Sequence, residues 1–195
     1  MTHWPSFLRE LDAAETAWNT RLVHYPREDA VPFLPYPMPQ FISLLAEAVK
    51  AAPPAIGVDG QLNTPRLLDI GCGVGVKLRL ATAMFGLDCY GIDIVPDFIA
   101  EAQAKGVQAI VADAFQFPEG GRAAFGFDGG YAAYQICYLN RPSAHIEELE
   151  TLIMDRMASR SVLMMVNGRC DPGKAGWLLV SQEWGEPTVG CWIKP

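Results

Sequence analysis

Three aspartates, Asp69, Asp93 and Asp113, each stand at the end of a short apolar run, and glycines occupy alternate positions after the first. The glycines are Gly71, Gly73 and Gly75, with Cys72 and Val74 between them. Strand, glycine turn, helix is a layout that brings bare backbone amides and a helix N-terminus up to a nucleotide-like ligand. A Cβ in such a turn would block the ligand or forbid the backbone. Asp93 follows Gly75 by eighteen residues, close to the roughly 20-residue offset at which a carboxylate on the second strand meets ribose hydroxyls. A glycine-rich turn alone is common and carries little weight. Three strands each delivering a carboxylate to one sheet edge imply a single crevice with three polar arms.

The glycine spacing separates two ligand classes. Dinucleotide sites use G-x-G-x-x-G, whereas here the third glycine comes one position early and Val76 stands where that glycine would be. The stretch Leu67-Leu68-Asp69-Ile70-Gly71-Cys72-Gly73-Val74-Gly75 resembles motif I of the class I S-adenosylmethionine (SAM)-dependent methyltransferases, and the resemblance extends over about residues 66–166. It implies that Gly71, Cys72, Gly73 and Gly75 enclose the methionine and ribose part of the cofactor, with Asp69 near the amino-acid end. It further implies that Asp93 holds the ribose hydroxyls, that Asp113 takes the adenine amino group, and that Ile94 and Ala114 flank the adenine ring. Phe127-Asp128-Gly129-Gly130-Tyr131-Ala132-Ala133-Tyr134 looks like the family's fourth strand.

Methyl transfer asks the protein chiefly for orientation and a pocket of suitable polarity. The fourth segment lacks both Asn/Asp-Pro-Pro-Tyr/Phe and Pro-Cys. Tyr131 and Tyr134 are the catalytic candidates on ring and hydroxyl chemistry, with edge packing as the equal alternative; Tyr36 is a candidate lid residue. The leading expectation is an active methyltransferase for a small-molecule or protein side-chain acceptor. Its alternatives are a non-catalytic SAM-binding regulatory module and, against the glycine spacing, a nicotinamide-dependent oxidoreductase.

The elements that must position these residues alternate. Strands are expected at 66–70, 88–93, 107–111, 126–134 and 161–167, and helices at 74–85, 96–105 and 143–158. Such alternation calls for a doubly wound, mostly parallel α/β sheet, Rossmann-like as the resemblance implies. Ahead of it, residues 6–23 and 39–52 carry apolar residues at helical spacing, a proline run fills 31–39, and the segment up to Thr64 reads as a loop. Residues 1–64 thus form an N-terminal helical and proline-rich cap on a core of 65–195, within one domain. After strand 161–167 only nine glycine-rich residues, 168–176, precede the next apolar run. That is too short for a helical crossover, so strand 177–183 is expected antiparallel beside strand 161–167. Strand 188–194 then turns back through Gly185-Glu186-Pro187 as an open edge for a homodimer, with Trp177, Trp184 and Trp192 spread over both faces.

Composition narrows the partners. The 195 residues are 50% hydrophobic with a formal charge of −7, ample for one core and adverse to non-specific nucleic-acid binding. No apolar stretch reaches transmembrane length and no leader is evident. Five cysteines without a C-x-x-C pair suit reduced thiols in the cytoplasm, and His3, His24 and His145 lack the spacing of a metal site.

Overall fold

The computed structural model describes residues 4–19, 36–56, 61–117, 127, 129–140, 144–183 and 189–195. Helices α1 (Trp4–Asn19) and α2 (Met38–Ala51) are followed by strands β1 (Ala55–Ile56), β2 (Leu62–Asn63) and β3 (Arg66–Ile70). Then come α3 (Val76–Phe85), β4 (Asp88–Asp93), α4 (Pro96–Ala104), β5 (Gln108–Val111), β6 (Ile136–Asn140) and α5 (Ile146–Arg156). Strands β7 (Val162–Val166), β8 (Leu178–Glu183) and β9 (Val189–Ile193) complete the order. Short 3-10 turns occupy Ala114–Gln116, Gly130–Ala133 and Pro172–Ala175. Expectations on residues 20–23, 31–35, 141–143 and the turn at 185–187 lie outside the described residues, as does Trp184.

Seven strands form one sheet in the order β5-β4-β3-β6-β7-β9-β8, parallel from β5 to β7 and antiparallel at β9. Side-chain alternation along β3 explains its two-sided burial. Leu67 joins the apolar layer of α2, α3 and α4, whereas Leu68 and Ile70 join the layer of α5. Cap and core share the first layer: Leu11, Phe41, Leu44 and Leu45 pack with Val76, Leu78 and Leu80. Gly86 closes α3 in the left-handed region (φ 65°), its amide donating to the Thr82 carbonyl.

Three expectations need correction. The fourth parallel strand is β6, not 126–134: Gly129 and Gly130 adopt φ of 92° and 56°, which turns the backbone into a 3-10 coil. The true strand is the continuous apolar run Ile136-Cys137-Tyr138-Leu139, every residue buried, as suits a strand covered on both faces. The segment before Thr64 is not all loop, since β1 and β2 pair antiparallel through Ala55↔Asn63 and Ile56↔Leu62.

The third correction concerns the sheet's far edge. No α-helix lies between β7 and β8, as the short connection implied, and the 3-10 turn at Pro172–Ala175 stands in its place. Yet β8 does not lie beside β7. Strand β9 takes that slot, and β8, antiparallel to β9, is the outer strand. Burial explains the order: Val189, Gly190, Cys191 and Trp192 are all buried, while Leu178 and Leu179 of β8 are 61% and 55% exposed. Trp177 and Trp192 lie on one face, in the layer that α5 covers. The open edge therefore belongs to β8, which carries a bulge between Leu179 and Ser181.

Candidate functional site

The strand order reverses between β3 and β6, so the crevice opens beyond their C-terminal ends. Register aligns the tips: Ile70 lies opposite Ile92 and Leu139, Asp93 opposite Val111, and Asn140 opposite Val166. The glycine turn sits on this edge. Gly71, Gly73 and Gly75 adopt φ of 80°, 53° and 73°, a region that side chains other than glycine's adopt only under strain. The Gly71 and Cys72 amides donate to the Ile92 carbonyl at 2.8 and 3.0 Å, leaning the turn against β4. A Cβ on Gly75 would meet Val107 at 2.8 Å, and one on Gly91 would meet Cys72 Sγ at 2.5 Å. The Cys72 side chain thus packs against β4 at Gly91. Burial, with Asp69 and Asp93 nearby, pushes its thiol well above the usual range.

Asp93 is held from two sides. Its Oδ2 accepts the Gly73 amide and its Oδ1 the Val95 amide, both at 2.9 Å. A carboxylate has about four lone-pair sites, so these bonds fix its orientation and leave capacity for a diol. Burial raises its pKa, against the lowering by backbone amides of Val95, Gly73 and Ile94. Asp69 is buried on the α3 side of β3, and desolvation raises its pKa to about 7 although Lys77 opposes the shift. Asp113 caps the 3-10 turn after β5, its Oδ1 accepting the Phe115 amide at 3.0 Å. Ile94 and Ala114, both partly buried, pack against opposite layers of the core.

The tyrosines do not join this group. Tyr134 lies at the other end of the sheet, where Gln135 bonds the Arg66 backbone and the Arg66 guanidinium stands 5.0 Å from the Tyr134 ring centroid. Tyr131 is buried against Phe117, its hydroxyl donating to the Ala114 carbonyl at 2.6 Å. Desolvation raises both phenols, so neither is poised as a base. Tyr131 instead braces the turn that carries Asp113.

The strand tips bring forward residues that the sequence reading passed over. Asn140 ends β6 beside the glycine turn, and Asn167 follows β7, its Nδ2 donating to Asn140 Oδ1 at 2.7 Å. Placing the fourth strand on Ile136–Asn140 from its apolar run would have found Asn140. Lys77, in the first turn of α3, is buried and donates to the Tyr36 carbonyl at 2.6 Å. Tyr36 and the cap are thereby joined to the helix that follows the glycine turn.

Residues 67–154 match the family described as "Methyltransferase domain". This segment is a methyltransferase domain. The domain's fold is that of class I methyltransferases. An RNA methyltransferase from Salinibacter ruber, solved with S-adenosyl-L-homocysteine, is similar with a TM-score of 0.60 and 18% identity, over 83% of this chain and 94% of that one. Magnesium protoporphyrin IX methyltransferase from Synechocystis PCC 6803, solved with bound SAM, gives 0.52 and 16%, over 80% and 79%. No curated protein sequence matches the chain significantly. Among the described residues, no helix is long and apolar enough to cross a membrane, and no group of three metal-ligating side chains occurs.

The residues at this crevice fit SAM, the cofactor of that family, in backbone and charge. The left-handed turn keeps Cβ atoms out of the cradle, and Gly75 at the start of α3 puts no side-chain cap over its first amides. Asp69, Asp93 and Asp113 supply only acceptors when ionised, matching a ligand rich in amino and hydroxyl groups.

Proposed function

We propose that the chain binds SAM across the tips of β3, β4 and β5 and transfers its methyl group to a small-molecule or protein side-chain acceptor. The observation that carries this reading is Asp93, fixed by the Gly73 and Val95 amides at the mouth of the glycine turn. When bound, SAM supplies an electrophilic methyl group on a sulfonium, whose C–S electron pair stays on sulfur as the acceptor's lone pair forms the new bond. Asp93 would hold the ribose hydroxyls and Asp113 the adenine amino group. Asp69 would face the methionine amino group, with Gly71, Cys72, Gly73 and Gly75 around the methionine and ribose part and Ile94 and Ala114 beside the adenine. Asn140 and Asn167 stand on the acceptor side, in place of the two tyrosines.

The formal charge of −7 supports a partner other than nucleic acid, and five free thiols support a reducing, cytoplasmic setting. Residues 1–64 act as the cap of a single domain whose core is 65–195. A homodimer would now form through β8; sedimentation velocity showing only monomer at high concentration would remove that reading.

Calorimetric titration with SAM, S-adenosylhomocysteine and NADH tests the proposal. Binding of the first two and not the third is expected, and Asp93→Ala should weaken SAM by about 1.5–3 kcal/mol, the range for a hydrogen bond to a charged group. Unchanged SAM affinity in that variant removes Asp93 from the ribose. Turnover of labelled SAM against lysate fractions separates the enzyme from a non-catalytic SAM-binding regulatory module.

A further inference from the structure

The exit from β7 is built with more structure than a loop requires. Asn167 adopts φ 57°, a left-handed conformation uncommon outside glycine. The next residues wrap around one buried carboxylate, Glu150 of α5. Its Oε1 and Oε2 each accept the Arg169 amide at 3.1 Å, and Oε2 accepts the Cys170 amide at 2.6 Å. Gly168 permits this approach, since a Cβ there would lie 3.1 Å from Glu150 Oε1. A buried carboxylate is costly unless it is hydrogen-bonded, and here its bonds go to backbone amides of the turn. The result is that Asn167 is presented at the sheet edge with its amide joined to Asn140 at 2.7 Å, two strands away from the glycine turn with β6 between them.

We propose that Asn167 is a specificity-determining residue of the methyl-acceptor site and that Glu150 is its positioning residue; this rests on the methyltransferase reading above. The Asn167 amide gives one of its two Nδ2 hydrogens to Asn140 and keeps its carbonyl oxygen as an acceptor beside the second hydrogen. That oxygen selects an acceptor group bearing N–H or O–H, which can donate to it while turning a lone pair toward the methyl group. An ionised carboxylate can take the second Nδ2 hydrogen but has none to give, so it leaves the Asn167 oxygen unpaired and is disfavoured against an N–H or O–H group. In the transfer, the acceptor N or O forms the new bond to carbon, the sulfonium becomes a neutral thioether, and the displaced proton passes to solvent.

The test uses the full chain, labelled SAM, and the low-mass and protein fractions of a cell lysate as methyl acceptors. Asn167→Gly relieves the left-handed backbone while deleting the amide, so its thermal midpoint should not fall and its S-adenosylhomocysteine affinity should stay within about twofold. Its turnover should drop about tenfold through KM, the weight of one hydrogen bond. Full turnover in Asn167→Gly would show that the asparagine serves the turn alone and would overturn the proposal. Glu150→Gln should raise KM similarly, with faster amide exchange at Arg169 and Cys170 and unchanged S-adenosylhomocysteine binding; a wild-type KM removes Glu150 from the scheme. The labelled product should resist mild alkali, and a base-labile methyl ester would overturn the acceptor class. If the wild-type chain binds no S-adenosylhomocysteine, the methyltransferase reading itself has failed. Binding without turnover on either fraction overturns the acceptor site alone.

Discussion

At the scale of single residues, Asp69 ties the site to pH. Its carboxyl is raised from 3.8 to about 7, first by burial and then by Asp93, with Lys77 pulling the other way. Between those values the folded state holds a proton that the unfolded chain has released, so stability falls as pH rises. The contribution is full below about pH 4 and lost above about pH 7, at most about 4 kcal/mol for this one group. Asp93 and Glu150, also raised by burial, act in the same sense. Urea unfolding at pH 5 and pH 8 should therefore show a smaller difference in Asp69→Asn than in the wild-type protein. An equal difference would show that Asp69 is ionised throughout. Tyr134 gives a second check. Its hydroxyl is buried and makes no hydrogen bond, so Tyr134→Phe should leave turnover unchanged and stability equal or up to about 1 kcal/mol higher. A large loss of turnover in that variant would return Tyr134 to the catalytic group. The three aspartates were legible because strand, acid and glycine recur at fixed offsets. Asn140 and Asn167 were not, since an asparagine at a strand tip has no periodic signature and its partner lies 27 residues away.

At the scale of elements, strands 66–70 and 88–93 coincide with β3 and β4, where apolar runs are bounded by glycine or acid. The fourth strand was misread because Gly-Gly followed by alternating aromatics imitates a strand, whereas the pair's positive φ starts a turn. The end of α5 was also hidden, for its cap comes from the far end of the sheet. Lys194 sends its ammonium to the carbonyls of Met154 and Met157 at 2.7 Å and of Asp155 at 3.1 Å. Three donors meet the orphan acceptors of one helix terminus, where a positive charge is also favoured by the helix dipole. Lys194→Met should cost about 1.5–3 kcal/mol, read by chemical denaturation. A cost near zero would mean that water replaces the ammonium.

At the scale of the molecule, two layers cover one sheet unequally. Helices α2, α3 and α4 fill the first, and α5 shares the second with Phe117, Phe127, Tyr131, Tyr134, Trp177 and Trp192. Aromatic area substitutes there for the helix that the short connection after β7 excludes, an outcome the connection length allowed but the strand order concealed. That order has a consequence in time. Strand β9 is made after β8 yet sits between β7 and β8, so a growing chain that has already released β8 has nowhere to dock it. Until residues 189–193 emerge, the outer side of β7 stays open and Leu178 and Leu179 stand on a strand with no neighbour. The sheet therefore closes inward from its rim, its last-made strand serving as the wedge. A chain truncated after residue 188 should elute as aggregates and lose a cooperative thermal transition, while a monomeric, cooperatively melting truncation would show that the parallel strands fold without the wedge.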